Sequence, residues 1–138
     1  MTNGKTFELK HSLQNNSKLN DVIVDAIQDV KGMDITLIDL RAIGEASADF
    51  FIICHGNSTT QVAGIITNIE RKVKELRNEL PSHIEGKSNS QWMLIDYFST
   101  VVHVFLRESR RFYNLEGLWG DAPTTQYEKI VCLDSGGG

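Results

Sequence analysis

Apolar residues recur along this chain with two different periods. Leu19, Val22, Ile23, Ala26, Ile27 and Val30 follow the i, i+3, i+4, i+7 spacing of one helical face, and predict a helix over 18–31. Asn16 or Ser17 can cap its start and Gly32 can stop it. Residues 35–40 and 49–54 read as strands. The segment between them is too short for a crossover helix, so the two strands are expected to be antiparallel neighbours. Phe50 to Cys54 is apolar without alternation, which suits a central strand buried on both faces.

A second helix follows from Val62, Ile65, Ile66, Ile69, Val73 and Leu76, with Ser58 and Gln61 spaced as a capping box and Pro81 beyond its end. After it come a short extended piece at 82–86, strands over 92–97 and 100–106 joined by Phe98-Ser99, and a short helix over 108–117. An edge strand over 127–133 completes the order. Strands and helices in this mixed sequence predict an α/β sandwich: one mixed sheet with flanking amphipathic helices. The expected organisation is a flexible leader over 1–16, a single domain over 17–134, and a disordered Gly-rich tail over 135–138.

With 138 residues, a chain of 41% hydrophobic and 23% charged residues can build one ordinary core without disulfides or metals. Its longest apolar run, 50–54, is far short of a membrane span, and its first residues lack a secretory signal's apolar stretch. Two distant cysteines, Cys54 and Cys132, fit a reducing cytoplasm. The formal net charge of −4 disfavours a dedicated nucleic-acid binder and suits a basic protein partner.

Few residues carry catalytic patterns. Cys54 and His55 are adjacent on a strand and so point to opposite faces, which makes a buried cysteine beside a loop histidine the plainer reading. His83 and Glu85 share a face, yet no third metal ligand has suitable spacing. His103 can simply be satisfied on the less buried sheet face. Gly56-Asn57-Ser58 opens a helix where a phosphate can bind, but no phosphate-loop pattern surrounds it. No cofactor or metal is expected. The segment 92–119 concentrates aromatics with Arg107, Arg110 and Arg111 nearby, either as core or as a docking surface. Alternation puts Trp92, Leu94 and Asp96 on one strand face and Met93, Ile95 and Tyr97 on the other.

Four stretches in this order resemble the ribosomal silencing factor family, also called Iojap-like. They are Asp-Ile-Thr-Leu-Ile-Asp-Leu-Arg at 34–41 and Ser-Ala-Asp-Phe-Phe-Ile-Ile-Cys-His-Gly-Asn-Ser at 47–58 with Gln61. Gln-Trp-Met-Leu-Ile-Asp-Tyr follows at 91–97, then Val-Val-His-Val-Phe at 101–105 with Arg-Phe-Tyr-Asn-Leu-Glu-Gly-Leu-Trp-Gly-Asp-Ala-Pro at 111–123. The resemblance implies a nucleotidyltransferase-like fold without catalytic carboxylates. It also implies a cytoplasmic translational repressor that binds the large ribosomal subunit through universal large-subunit protein fourteen, with little direct rRNA contact, and blocks the small subunit. Free copies are implied to pair as homodimers.

Carried over, the resemblance places Trp92, Leu94, Asp96 and Tyr97 in or near the contact. The Tyr97 hydroxyl is expected to reach outward at the turn. This chain departs from the family in having Phe98-Ser99 where Gly-Asp is common, so Phe98 is expected to supply an apolar contact. Asp49-Phe50-Phe51 also lacks the family's tyrosine. The alternative function is a nucleotidyltransferase-like enzyme holding a nucleotide near Gly56 and Ser58, with Asp39 or Asp96 on a metal.

Overall fold

The computed structural model describes residues 15–86 and 90–127. In chain order it contains helix α1 (Asn15–Asp29), strands β1 (Met33–Asp39) and β2 (Phe50–Gly56), and helix α2 (Thr59–Arg77). Strands β3 (His83–Gly86), β4 (Trp92–Asp96) and β5 (Thr100–Leu106) follow, then helices α3 (Arg107–Tyr113) and α4 (Leu115–Leu118), and strand β6 (Thr124–Gln126). The strands form one mixed sheet in the order β3-β4-β5-β2-β1-β6. β1 and β2 pair antiparallel, as do β4 and β5, because their connections are short. β2 and β5 pair parallel, since α2, β3 and β4 intervene.

Both long helices lie on one face of this sheet. Ile23 and Ile27 of α1 and Ile65 and Ile69 of α2 are fully buried, in one core with Ile52, Cys54, Ile95, Val102 and Val104 of the strands. Each such aliphatic side chain contributes roughly 1.5–3 kcal/mol by leaving water. Buried polar groups fix the helices in register. Asn68 donates from Nδ2 to the Ala26 carbonyl at 2.8 Å, tying α2 to α1, and the Thr100 hydroxyl donates to Asn20 Oδ1 at 2.7 Å.

The element ends differ from expectation in instructive ways. α1 begins at Asn15, two residues inside the expected leader. Its left-handed terminating residue is Lys31, at φ 63°, while the Gly32 N–H reaches back to the Ile27 carbonyl at 2.9 Å. Gly32 is needed for close approach instead, because a Cβ there would lie 2.3 Å from Ile27 Cγ2. The expected helix over 108–117 is broken into α3 and α4 at Asn114, whose φ is 47°. A strand falls at Thr124–Gln126 beside β1, ahead of the expected start at Tyr127, because Pro123 already leads the chain to the sheet. The remainder of that expected strand, most of the leader and the tail lie outside the described residues.

Gln61 joins these ends together. The Ser58 Oγ accepts the Gln61 N–H at 3.1 Å, as a cap should, but the reciprocal bond is shifted by one residue. Gln61 Oε1 accepts from the Asn57 N–H at 2.8 Å. Its Nε2 donates to the carbonyls of Val30 and Lys31, at 3.1 and 3.0 Å, and so seals the C-terminal end of α1. Replacing Gln61 with Ala removes three side-chain hydrogen bonds, and should lower stability by about 2 kcal/mol in urea titration. An unchanged midpoint would mean that water replaces all three.

Candidate docking surface

Residues paired across the sheet share a face, so the second face can be read from the register. Phe105 lies opposite Trp92, His103 opposite Leu94, and Val101 opposite Asp96; Phe51 and Ile53 of β2 extend the same surface. Among the described residues no long helix covers it. Ile38, Ile53 and Phe105 are buried under α4, the 41–48 loop and the turn around Trp119, but β4 at the far side is only half covered. Trp92, Leu94 and Asp96 therefore stand together on an open face, as their alternation predicts.

Tyr97 is not among them. It is only 3% exposed and packs in the helix-side core with Ile95 and Val102. Its N–H still donates to the Thr100 carbonyl at 2.9 Å, so the chain stays extended through residue 97 and alternation turns the ring inward. The expected outward hydroxyl is thus corrected: Tyr97 Oη is buried without a hydrogen-bond partner among the described residues, and burial raises its pKa. Phe98, in contrast, is 74% exposed at the hairpin tip. The two-residue turn forces it to φ 71°, a conformation that costs a non-glycine residue roughly 1–2 kcal/mol. Asp96 stabilises that turn, as its Oδ1 accepts the Phe98 N–H at 2.7 Å.

A terrace of rings adjoins β4. Trp92 stacks on Phe105 with centroids 5.0 Å apart and meets Tyr113 at 4.7 Å; Tyr113 in turn meets Phe112 edge-on at 5.1 Å. Phe112 and Leu118 are 80% and 72% exposed, which leaves an apolar surface running from β4 onto α3 and α4. The aromatic density of 92–119 is visible in the sequence, either as core or as a docking surface, but its pattern does not set Phe112, Tyr113 and Leu118 apart from the rest. The break at Asn114, which sets them outward, has no local signal beyond Asn itself. His83 and Glu85 lie on the same face beside Asp96, with His83 Nε2 3.3 Å from Glu85 Oε2 and Nδ1 3.8 Å from Asp96 Oδ2. They form a polar rim, and no three metal-ligating side chains converge among the described residues.

Arg110 anchors the terrace. Its guanidinium is buried and donates to Glu116 Oε2 at 2.5 Å, to His55 Nδ1 at 3.0 Å and to Thr36 Oγ1 at 3.3 Å, clamping α3 and α4 onto β1 and β2. His55 is thus a strand residue, not the loop residue expected. Burial first, and then Arg110, holds its pKa below the ordinary value, with Asp34 opposing. Cys54 faces the helices on the other side, and burial pushes its thiol up to about 12, so the two form no catalytic pair. A polar cavity of about 300 Å³ borders Asp34, Thr36, Arg110 and Glu116, but the guanidinium is already committed to protein partners. At Gly56-Asn57-Ser58 the Asn57 and Gln61 N–H groups are likewise taken, by Gln61 Oε1 and Ser58 Oγ.

His103 completes the face beneath Trp92. Its Nδ1 accepts the Trp92 indole N–H at 3.1 Å, and its ring meets Phe51 edge-on at 4.7 Å. Burial lowers its pKa from 6.5 to about 4, against an opposing pull from Asp96. The unfolded chain then binds a proton more readily than the folded one. Stability should be full above pH 6.5, decline as pH falls towards about 4, and lose this dependence below it. His103→Phe should flatten the decline of the urea midpoint over that window; an unaltered slope would show that other groups set it.

Comparison with known proteins places this chain in a family. Residues 13–135 match the family model described as "Ribosomal silencing factor during starvation". The ribosomal silencing factor of Halalkalibacterium halodurans is 40% identical over 116 residues, which cover 84% of this chain and 97% of that protein. The mouse protein named "Mitochondrial assembly of ribosomal large subunit protein 1" is 31% identical over 72% of this chain and 44% of its own length. A crystal structure of a Chromobacterium violaceum protein superposes with a TM-score of 0.70 at 30% identity, covering 75% of this chain and 85% of that one. The match runs through every element from α1 to β6, and with it the chain is a member of the ribosomal silencing factor family.

Proposed function

We propose that this protein docks on the large ribosomal subunit in the cytoplasm and, while docked, occludes the small subunit and so represses translation. The reading rests on one observation above all: the fold packs both long helices on one sheet face and leaves an aromatic terrace beside β4 on the other. Aromatic anchors at the centre of such a patch typically supply most of a docking energy. Glu85 and Asp96 at its rim, with a net charge of −4, suit a basic protein better than a phosphate backbone. The partner in this reading is universal large-subunit protein fourteen, with little direct rRNA contact. The contact is assigned to Trp92, Leu94, Asp96 and Phe98, and occlusion needs no chemical turnover. Pairing of free copies belongs to the same reading and is measured by sedimentation equilibrium.

Co-sedimentation with purified large subunits tests this directly. Trp92→Ala should weaken binding by about 2–4 kcal/mol, as loss of a central anchor does. Asp96→Asn keeps an acceptor for the Phe98 N–H but removes the charge, and should weaken binding by about 1 kcal/mol, more at low salt. Folded variants that both bind at wild-type affinity would remove this face from the contact. Addition of ATP with magnesium should leave the melting temperature unchanged; an upward shift would favour the nucleotidyl-transfer reading.

A further inference from the structure

His103 presents an energetic contradiction. It is 6% exposed, one of its ring nitrogens accepts from Trp92, and the other, Nε2, has no hydrogen-bond partner among the described residues. A neutral imidazole has one donor and one acceptor. Because Nδ1 accepts, the proton must sit on Nε2, where it becomes a buried donor without an acceptor. Such a group lowers stability relative to an apolar side chain of similar shape. Phenylalanine at this position would avoid the orphaned Nε2–H and could keep the edge-on contact with Phe51, and would hand the half-buried Trp92 N–H from His103 Nδ1 to solvent. The bond to Trp92 is thus the one contact of the His103 ring that calls for a histidine.

What the histidine supplies is an acceptor. Trp92 is only half buried; its ring stacks on Phe105 and meets Tyr113 at a tilt of 47°. Stacking alone is tolerant of rotation within the ring plane. The Nε1–H to Nδ1 bond removes that freedom by fixing which edge of the indole points into the sheet. An anchor already held in its bound orientation loses less entropy when a partner meets it.

We infer that His103 is a positioning residue for docking, which orients the Trp92 indole on the open face and does so at the expense of fold stability. The inference rests on the docking reading above, in that it takes Trp92 to be a contact. It assigns His103 no contact with the partner.

Three measurements on the full chain separate this role from a structural one. His103→Phe should fold with a urea midpoint equal to or above wild type, yet bind large subunits about tenfold more weakly. In the double variant with Trp92→Ala the second change should add nothing, so that the two effects are coupled and not additive. In the NMR spectrum the Trp92 indole N–H should shift and exchange faster with solvent in His103→Phe, and His103→Gln, which restores an acceptor, should recover part of both the signal and the binding. A destabilised His103→Phe, or a binding loss that adds fully to that of Trp92→Ala, would overturn the inference. If Trp92→Ala weakens binding while His103→Phe does not, positioning is wrong but docking stands. If Trp92→Ala itself has no effect, the docking reading fails, and the inference with it.

Discussion

The parallel pairing of β2 with β5 is the contact on which everything else depends. It runs unbroken from Phe50 beside Thr100 to Gly56 beside Leu106. Both strands are apolar on both faces, so the sheet centre must be covered twice. A parallel pair also needs a crossover, and α2 provides it on the same side as α1. That leaves the second face to the short elements that follow β5. Among the described residues they cover β1, β2 and β5, and reach β4 only where Tyr113 meets Trp92. The half-covered β4 strand is the consequence of a sheet wider than its second layer.

Arg110 and His103 hold that incomplete layer in two different ways. The Arg110 guanidinium satisfies itself wholly within the protein, and ties α3 and α4 to the ends of β1 and β2. Removing one member of such a buried set usually costs more than the set contributes, because the remaining groups stay desolvated. His103 is satisfied on one side only. One cluster consolidates the scaffold, while the other trades stability for the posture of a single half-buried ring. Strain at Phe98 belongs with the second kind, since its φ of 71° sets an apolar side chain into solvent at the hairpin tip.

Much of this was legible in the residues, and the failures have physical causes. Helical period placed α1 and α2, and period-two alternation correctly separated Trp92, Leu94 and Asp96 from Met93 and Ile95. The same rule turns Tyr97 inward, against the outward reach that a strand end suggests; the hydrogen bond to Thr100 shows that the strand geometry persists through that residue. The split of the short helix at Asn114 and the position of β6 were not readable, because both are decided by docking onto the sheet and not by local propensity. Gln61 was recognised as a cap, yet its bonds to Val30 and Lys31 join segments 30 and 31 positions apart, which no local pattern encodes. His103 was read as merely satisfied because period and composition say nothing about which nitrogen finds a partner.

The central claim is occlusion by a bound, unreactive factor, and it makes a stoichiometric statement. Large subunits should be loaded with increasing amounts of the protein, mixed with small subunits, and subunit joining followed by light scattering. Joining should fall in proportion to occupancy and be abolished at one bound copy per large subunit, with no dependence on nucleotide. Joining at the full rate on saturated large subunits would contradict the account, even if the protein remained bound.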